Sequence, residues 1–149
     1  MNLVPTEFEV SHKPVEIALN QFRGLREINL DGMYLTGSIP SSIALFGNLH
    51  TLNLANNKIT GDLTTGLLRA PKLHKVKLSN NRITSIRSII EYLAAMLSTA
   101  IVDNTIASNP KVSYFLDLSG NPIDLTAYDK EVLDKAYRYR NIRIAVDGL

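Results

Sequence analysis

The chain contains no cysteine among its 149 residues. That excludes a disulfide framework and any thiolate metal site, but it does not identify a compartment, because cytosolic and secreted proteins alike can lack cysteine. Net charge is also scarce: +2 with the histidines neutral is too little to argue by itself for nucleic acid or a membrane surface. Long apolar runs are missing. The longest, near Ile89–Leu97, is interrupted by Glu91 and is too short to span a bilayer. Met1–Val10 holds Pro5, Glu7 and Glu9 and no basic segment leading into an apolar one, so no signal peptide is read there and the cytoplasm is the expected location. What remains is ordinary for one globular domain, 45% hydrophobic and 20% charged, and long enough to bury a core.

Present instead is a register. Leu49-His50-Thr51-Leu52-Asn53-Leu54-Ala55-Asn56-Asn57-Lys58-Ile59 alternates apolar and polar residues through Leu52 and Leu54, as a half-buried strand requires. The same spacing occurs from Leu25 (Ile28, Leu30, Met33, Leu35) and from Leu73 (Val76, Leu78, Asn81, Ile83). The starts at 25, 49 and 73 lie 24 residues apart, and a fixed period of this length is the signature of a solenoid. Agreement continues past the strand, with Thr36-Gly37 matching Thr60-Gly61, Ile39 matching Leu63 and Ile43 matching Leu67.

These units resemble leucine-rich repeats, and Leu35-Thr36-Gly37-Ser38-Ile39-Pro40 is similar to the subtype common in plant proteins. The resemblance covers residues 25–123. It implies an α/β fold: a right-handed leucine-rich-repeat solenoid with parallel strands on the concave face and helices or irregular segments on the convex face. Leucines at positions one, four and six of each unit fill the interior. Asparagine at position nine suits a buried turn, since its amide both donates and accepts, so Asn57, Asn81 and Asn121 are expected to stack as a ladder. Met33 replaces asparagine in the first unit, which suggests a terminal coil with no preceding turn to satisfy.

Around the array, residues 1–24 read as an N-terminal cap. Thr6–Val10 alternates like a short strand, and Val15, Ala18, Leu19 and Phe22 share one helical face. After Ile83 the pattern loosens. The next unit, with Leu116, Leu118, Asn121 and Ile123 in place, begins at Ser113, 40 residues after Leu73. The excess of 16 residues predicts an outer helical insertion near 84–112, with Ile86, Ile89, Ile90, Leu93 and Leu97 as its buried stripe. Residues 124–149 read as a closing cap: a helix over Asp129–Tyr139 with Val132, Leu133, Ala136 and Tyr137 inward, then a strand with Ile142, Ile144 and Val146 inward. The whole is one domain, and the solenoid is expected to be complete.

No catalytic constellation is found, so no enzyme and no cofactor are predicted. Gly37 and Gly61 are isolated and form no phosphate loop, and Ser41 and Ser42 lack the strand–turn–helix setting of a nucleophile elbow. His50 and His74 occupy position two of successive units. A metal site would need further ligands where the same column offers Arg26 and Tyr114, so both read as exposed histidines and no metal is assigned.

Binding is the stronger expectation. Between inward leucines, positions three, five and seven point to the concave face. Candidate partner-binding residues are therefore Glu27, Asn29, Asp31, Thr51, Asn53, Lys75, Lys77, Phe115 and Asp117, with Tyr114 added as the neighbour of Phe115. For Phe115 two readings stand: an outward interface anchor with Tyr114 alongside, or a ring buried by the insertion or the cap. Residues 58–87 carry seven basic side chains against Asp62 alone, so the alternative to a protein or peptide partner is a nucleic-acid or ribonucleoprotein component using the basic third unit. The resemblance implies non-catalytic protein recognition, as an adaptor, an assembly subunit or a pathogen effector, the last compatible with signal-independent secretion.

Overall fold

The computed structural model describes residues 10–102 and 113–149, with 99–102 as backbone only. In chain order its elements are α1 (Val15–Asn20), β1 (Glu27–Asn29), a 3-10 turn (Ser41–Leu45), β2 (Thr51–Asn53), β3 (Thr60–Asp62), α2 (Gly66–Arg69), β4 (Lys75–Lys77), β5 (Arg82–Ser85), α3 (Arg87–Val102), β6 (Tyr114–Asp117), α4 (Ala127–Arg140) and β7 (Ile142–Ala145). The five strands β1-β2-β4-β6-β7 form one sheet in that order, and every pair is parallel. Consecutive parallel strands require a crossover each time. Those crossovers are the 3-10 turn and the three helices α2, α3 and α4.

The repeat register accounts for the core. Ile28, Leu52, Val76, Leu116 and Ile144 stand opposite one another in neighbouring strands, and all are buried. Leu30, Leu54, Leu78 and Leu118 form a second buried row two residues further on. The outer layer closes against them closely enough that Gly66 has no room for a side chain: a Cβ there would meet the Ser41 carbonyl at 2.7 Å and Ile43 at 2.9 Å. Within the insertion expected near 84–112, of which 103–112 lie outside the described residues, the outer helix forms as α3, and Ile86 just before it and Ile89, Ile90, Leu93 and Leu97 within it are all buried.

Each buried asparagine stitches its own coil to the one before. Asn57 Oδ1 accepts from the N–H groups of Met33 and Leu35 at 3.0 and 2.9 Å, while its Nδ2 donates to the carbonyls of Leu30, Leu54 and Ala55. Asn81 accepts from Ile59 and donates to Leu54 and Leu78. Asn121 accepts from Ile83 and donates to Leu78 and Leu118. At the first coil the N-terminal segment provides the neighbour instead. The His12 N–H donates to the Met33 carbonyl, and Val15 and Thr36 are joined through Val15 N–H to Thr36 O and Thr36 N–H to Lys13 O.

A further regularity, unforeseen from the sequence, lies at position eight. Gly32, Asn56, Asn80, Gly120 and Gly148 all have positive φ, between 57° and 81°, the left-handed region that glycine and asparagine tolerate. The two asparagines use their side chains as a second, exposed ladder. Asn80 Nδ2 donates to Asn56 Oδ1, and Asn56 Nδ2 to Asp31 Oδ1, both at 3.0 Å.

Two expectations at the ends change. Tyr137 is 55% exposed although its helical neighbours Val132, Leu133 and Ala136 are buried. It lies over the outer side of β7, in a recess shared with Leu133, Arg143 and Leu149, where no further described coil covers it. The strand expected over Thr6–Val10 falls largely outside the described residues, and Val10, buried, is not in a strand.

Candidate functional site

Strand alternation decides which side chains face away from the core. Position three of the register places Glu27, Thr51, Lys75, Phe115 and Arg143 on consecutive strands. Position five places Asn29, Asn53, Lys77, Asp117 and Ala145 in a parallel row. Neighbouring strands lie about 4.8 Å apart, so each row is a continuous column. Glu27, Asn29, Thr51, Asn53, Lys75 and Lys77 wall an open concavity of about 230 Å³, floored by Ile28 and Leu52. Of the position-seven residues, Asp31 is exposed and Ala55 is buried.

The position-five side chains are not all free. Asn29 Oδ1 accepts from the Asp31 N–H at 3.2 Å, Asn53 Oδ1 from the Ala55 N–H at 3.0 Å, and Asp117 Oδ1 from the Ser119 N–H at 3.0 Å. Each fastens the strand end by a bond to the backbone two residues on, a habit of Asn and Asp side chains. Asp31 accepts from Asn53 Nδ2 at 3.4 Å as well as from Asn56. These residues face the concave side, yet part of their hydrogen-bonding capacity already holds the scaffold.

Tyr114 corrects the sequence reading. It is buried, and its hydroxyl donates to the Leu67 carbonyl at 2.9 Å. Burial pushes its phenol pKa upward. The reason is parity: successive residues of a strand point to opposite faces, so Tyr114 shares the inward side of Leu116 and Leu118. It cannot stand beside Phe115. Phe115 itself is half-buried, with the Arg143 guanidinium 5.6 Å from its ring centre, a cation–π arrangement. Arg143 is therefore a fifth-strand member of the column that sequence reasoning missed. The signal was present, since reading Ile142, Ile144 and Val146 as inward leaves Arg143 outward.

His50 and His74, expected to be exposed, are half-buried and share the column of the buried Tyr114, with ring centres 6.0 Å apart and planes perpendicular. Their Nδ1 atoms lie 2.7 and 3.3 Å from the carbonyls of Asn48 and Lys72. Carbonyls only accept, so these contacts are hydrogen bonds with Nδ1–H as donor. Among the described residues no group of three or more His, Cys, Asp or Glu side chains is placed to hold a metal ion.

The basic residues of 58–87 do not form one patch. Lys75 and Lys77 face the concave side, Lys58 lies 5.6 Å from the Tyr34 ring centre, and Arg87 is bound to Asp129 at 2.9 Å. The ion pairs among the described residues are Arg87–Asp129, Glu131–Lys135 and Asp134–Arg138, and they leave Lys75, Lys77 and Arg143 out. Shifted carboxylates lie away from the columns. Burial pushes Asp62 up, but hydrogen bonds from Ser88, Ser85 and the Arg87 backbone outweigh it and hold the group below the ordinary range. Both serine hydroxyls bond to this carboxylate. No helix among the described residues is long and apolar enough to cross a membrane.

Comparison with known families agrees with the register. Residues 47–92 match a model described as leucine rich repeats in two copies, and residues 24–46 match a leucine rich repeat model. No curated protein gives a significant match. The matched segments end at residue 92, while the coils begun by β6 and β7 continue the same sheet in the same register. Proteins of this kind are typically non-catalytic and generally mediate protein–protein interaction. The period, the parallel strands and the family match together identify the chain as a leucine-rich-repeat protein, an α/β solenoid.

Proposed function

We infer that this chain is a non-catalytic recognition module of the cytoplasm that binds a protein or peptide segment on its concave face. The observation that carries this reading is the contiguous set Lys75, Lys77, Phe115 and Arg143 on three adjacent strands. These are large side chains, presented on a rigid floor, and the described ion pairs do not engage the three cations. Rigid scaffolds that display such groups suit partner binding, and aromatic and arginine side chains dominate binding energy at interfaces.

The partner is expected to co-purify with the protein on affinity capture from its native cell. Phe115→Ala should weaken that association by about tenfold or more while leaving the fold intact. Thr51→Trp, which puts neutral bulk into the concavity, should do the same. Loss of several degrees of thermal stability in Phe115→Ala with partner binding retained would make the ring core rather than anchor.

A further inference from the structure

Lys77 breaks a rule that the rest of the interior follows. In the coils on either side of it, and in the first, the side chain at position five is Asn or Asp and accepts the backbone N–H two residues on. Lysine has no acceptor, so the Ser79 N–H goes without this side-chain bond. The other departure, Ala145, is on the edge strand. A central position that gives up a stabilising cap for a cation points to a use for the cation.

Its surroundings indicate what that use is. Lys75 lies two residues before it on the same strand face, Phe115 stands opposite Lys75 on the next strand, and Arg143 stands opposite Phe115. Lys75 and Arg143 therefore flank one half-buried ring, with Lys77 next on the strand face of Lys75, opposite Asp117, whose Oδ1 is already taken by the Ser119 N–H and hydroxyl. At the far end of the same columns are the carboxylates of Glu27 and Asp31. We propose that Lys77 is a specificity-determining residue, and that the partner is an extended acidic peptide segment whose carboxylates meet Lys75, Lys77 and Arg143 around an apolar residue seated on Phe115. This deepens, and rests on, the concave-face reading. From β1 to β7 is four strand spacings, about 19 Å, the reach of about six extended residues.

A nucleic acid fits less well. Its evenly charged backbone needs an unbroken basic track. Here Asp117 stands in register beside Lys77, and Asp31 and Glu27 occupy the other end of the columns. Lys58 and Arg87 are turned to Tyr34 and Asp129.

The test uses three labelled probes with the full chain: a short peptide of glutamates around one leucine, its lysine counterpart, and a single-stranded oligonucleotide of similar reach. Only the acidic peptide is expected to bind, with an affinity that falls as salt rises. Lys77→Asn should restore the cap, raising Tm by about 2–4 °C, while weakening the acidic peptide about tenfold. The proposal is overturned if the acidic peptide fails to bind, if Lys77→Asn leaves its affinity unchanged or lowers Tm, or if the oligonucleotide binds better. Thr51→Trp, neutral bulk in the same concavity, separates the two levels. A lysine peptide that binds and is lost in Thr51→Trp sinks the acidic class but keeps the concave face. An acidic peptide that binds Thr51→Trp undiminished, and so lies off that face, sinks both.

Discussion

Asn57→Leu is expected to destabilise the protein by roughly 3–6 kcal/mol, read as a lowered midpoint in urea unfolding. Leucine keeps the branching of asparagine but is bulkier and can neither donate nor accept, so the cost combines lost hydrogen bonds with some overpacking. Asn57 satisfies two N–H groups of the preceding turn and three carbonyls on both sides of the coil boundary. The Met33 N–H is part-buried and the Leu35 N–H is buried, so water cannot replace the lost partner fully, and each orphaned group costs about 1–3 kcal/mol. A loss below about 1 kcal/mol would mean that the turns are held by side-chain packing and that the ladder is incidental.

The second large effect concerns the only buried carboxylate among the described residues. Asp129→Asn should cost about 2–3 kcal/mol and flatten the acid limb of the stability profile. Asp129 Oδ2 accepts from the Thr126 N–H at 3.0 Å while Thr126 Oγ1 accepts from the Asp129 N–H at 3.1 Å, a reciprocal cap on α4. Arg87 Nη2 lies 2.9 Å from both carboxylate oxygens and ties the start of α3 to the start of α4. Burial pushes the carboxyl pKa up, but the Thr126 and Arg87 interactions outweigh it and leave the group below its ordinary value of 3.8. A lowered folded pKa gives stability that is full above the unfolded value and lost as pH falls through the folded one. The wild type should therefore lose this contribution on acidification below about pH 4, and Asp129→Asn should lack that component. Superimposable acid limbs would contradict the assignment.

Much of this was legible in the sequence because a solenoid repeats its constraints. Leu25, Leu49 and Leu73 fixed the period, and Asn57, Asn81 and Asn121 marked the turns. The excess length after Ile83 announced α3, and its five apolar residues became the buried face. Tyr114 went wrong because its neighbour Phe115 drew it outward, although parity with Leu116 places it inside. The position-five caps were hidden because Asn29, Asn53 and Asp117 look like free concave side chains. Only the fold shows their bonds two residues along the backbone. The Arg87–Asp129 pair joins residues 42 apart, at a distance that no local pattern reports. Arg143 was readable and overlooked.

The central claim is that the partner is a protein held on the concave face. A photo-crosslinking residue placed at Thr51, on that face, and separately at Arg69, on the returning segment, tests it most directly in the native cell. The account predicts a protein adduct from position 51 and none from position 69. An adduct formed only at position 69, or one to nucleic acid at position 51, would contradict it.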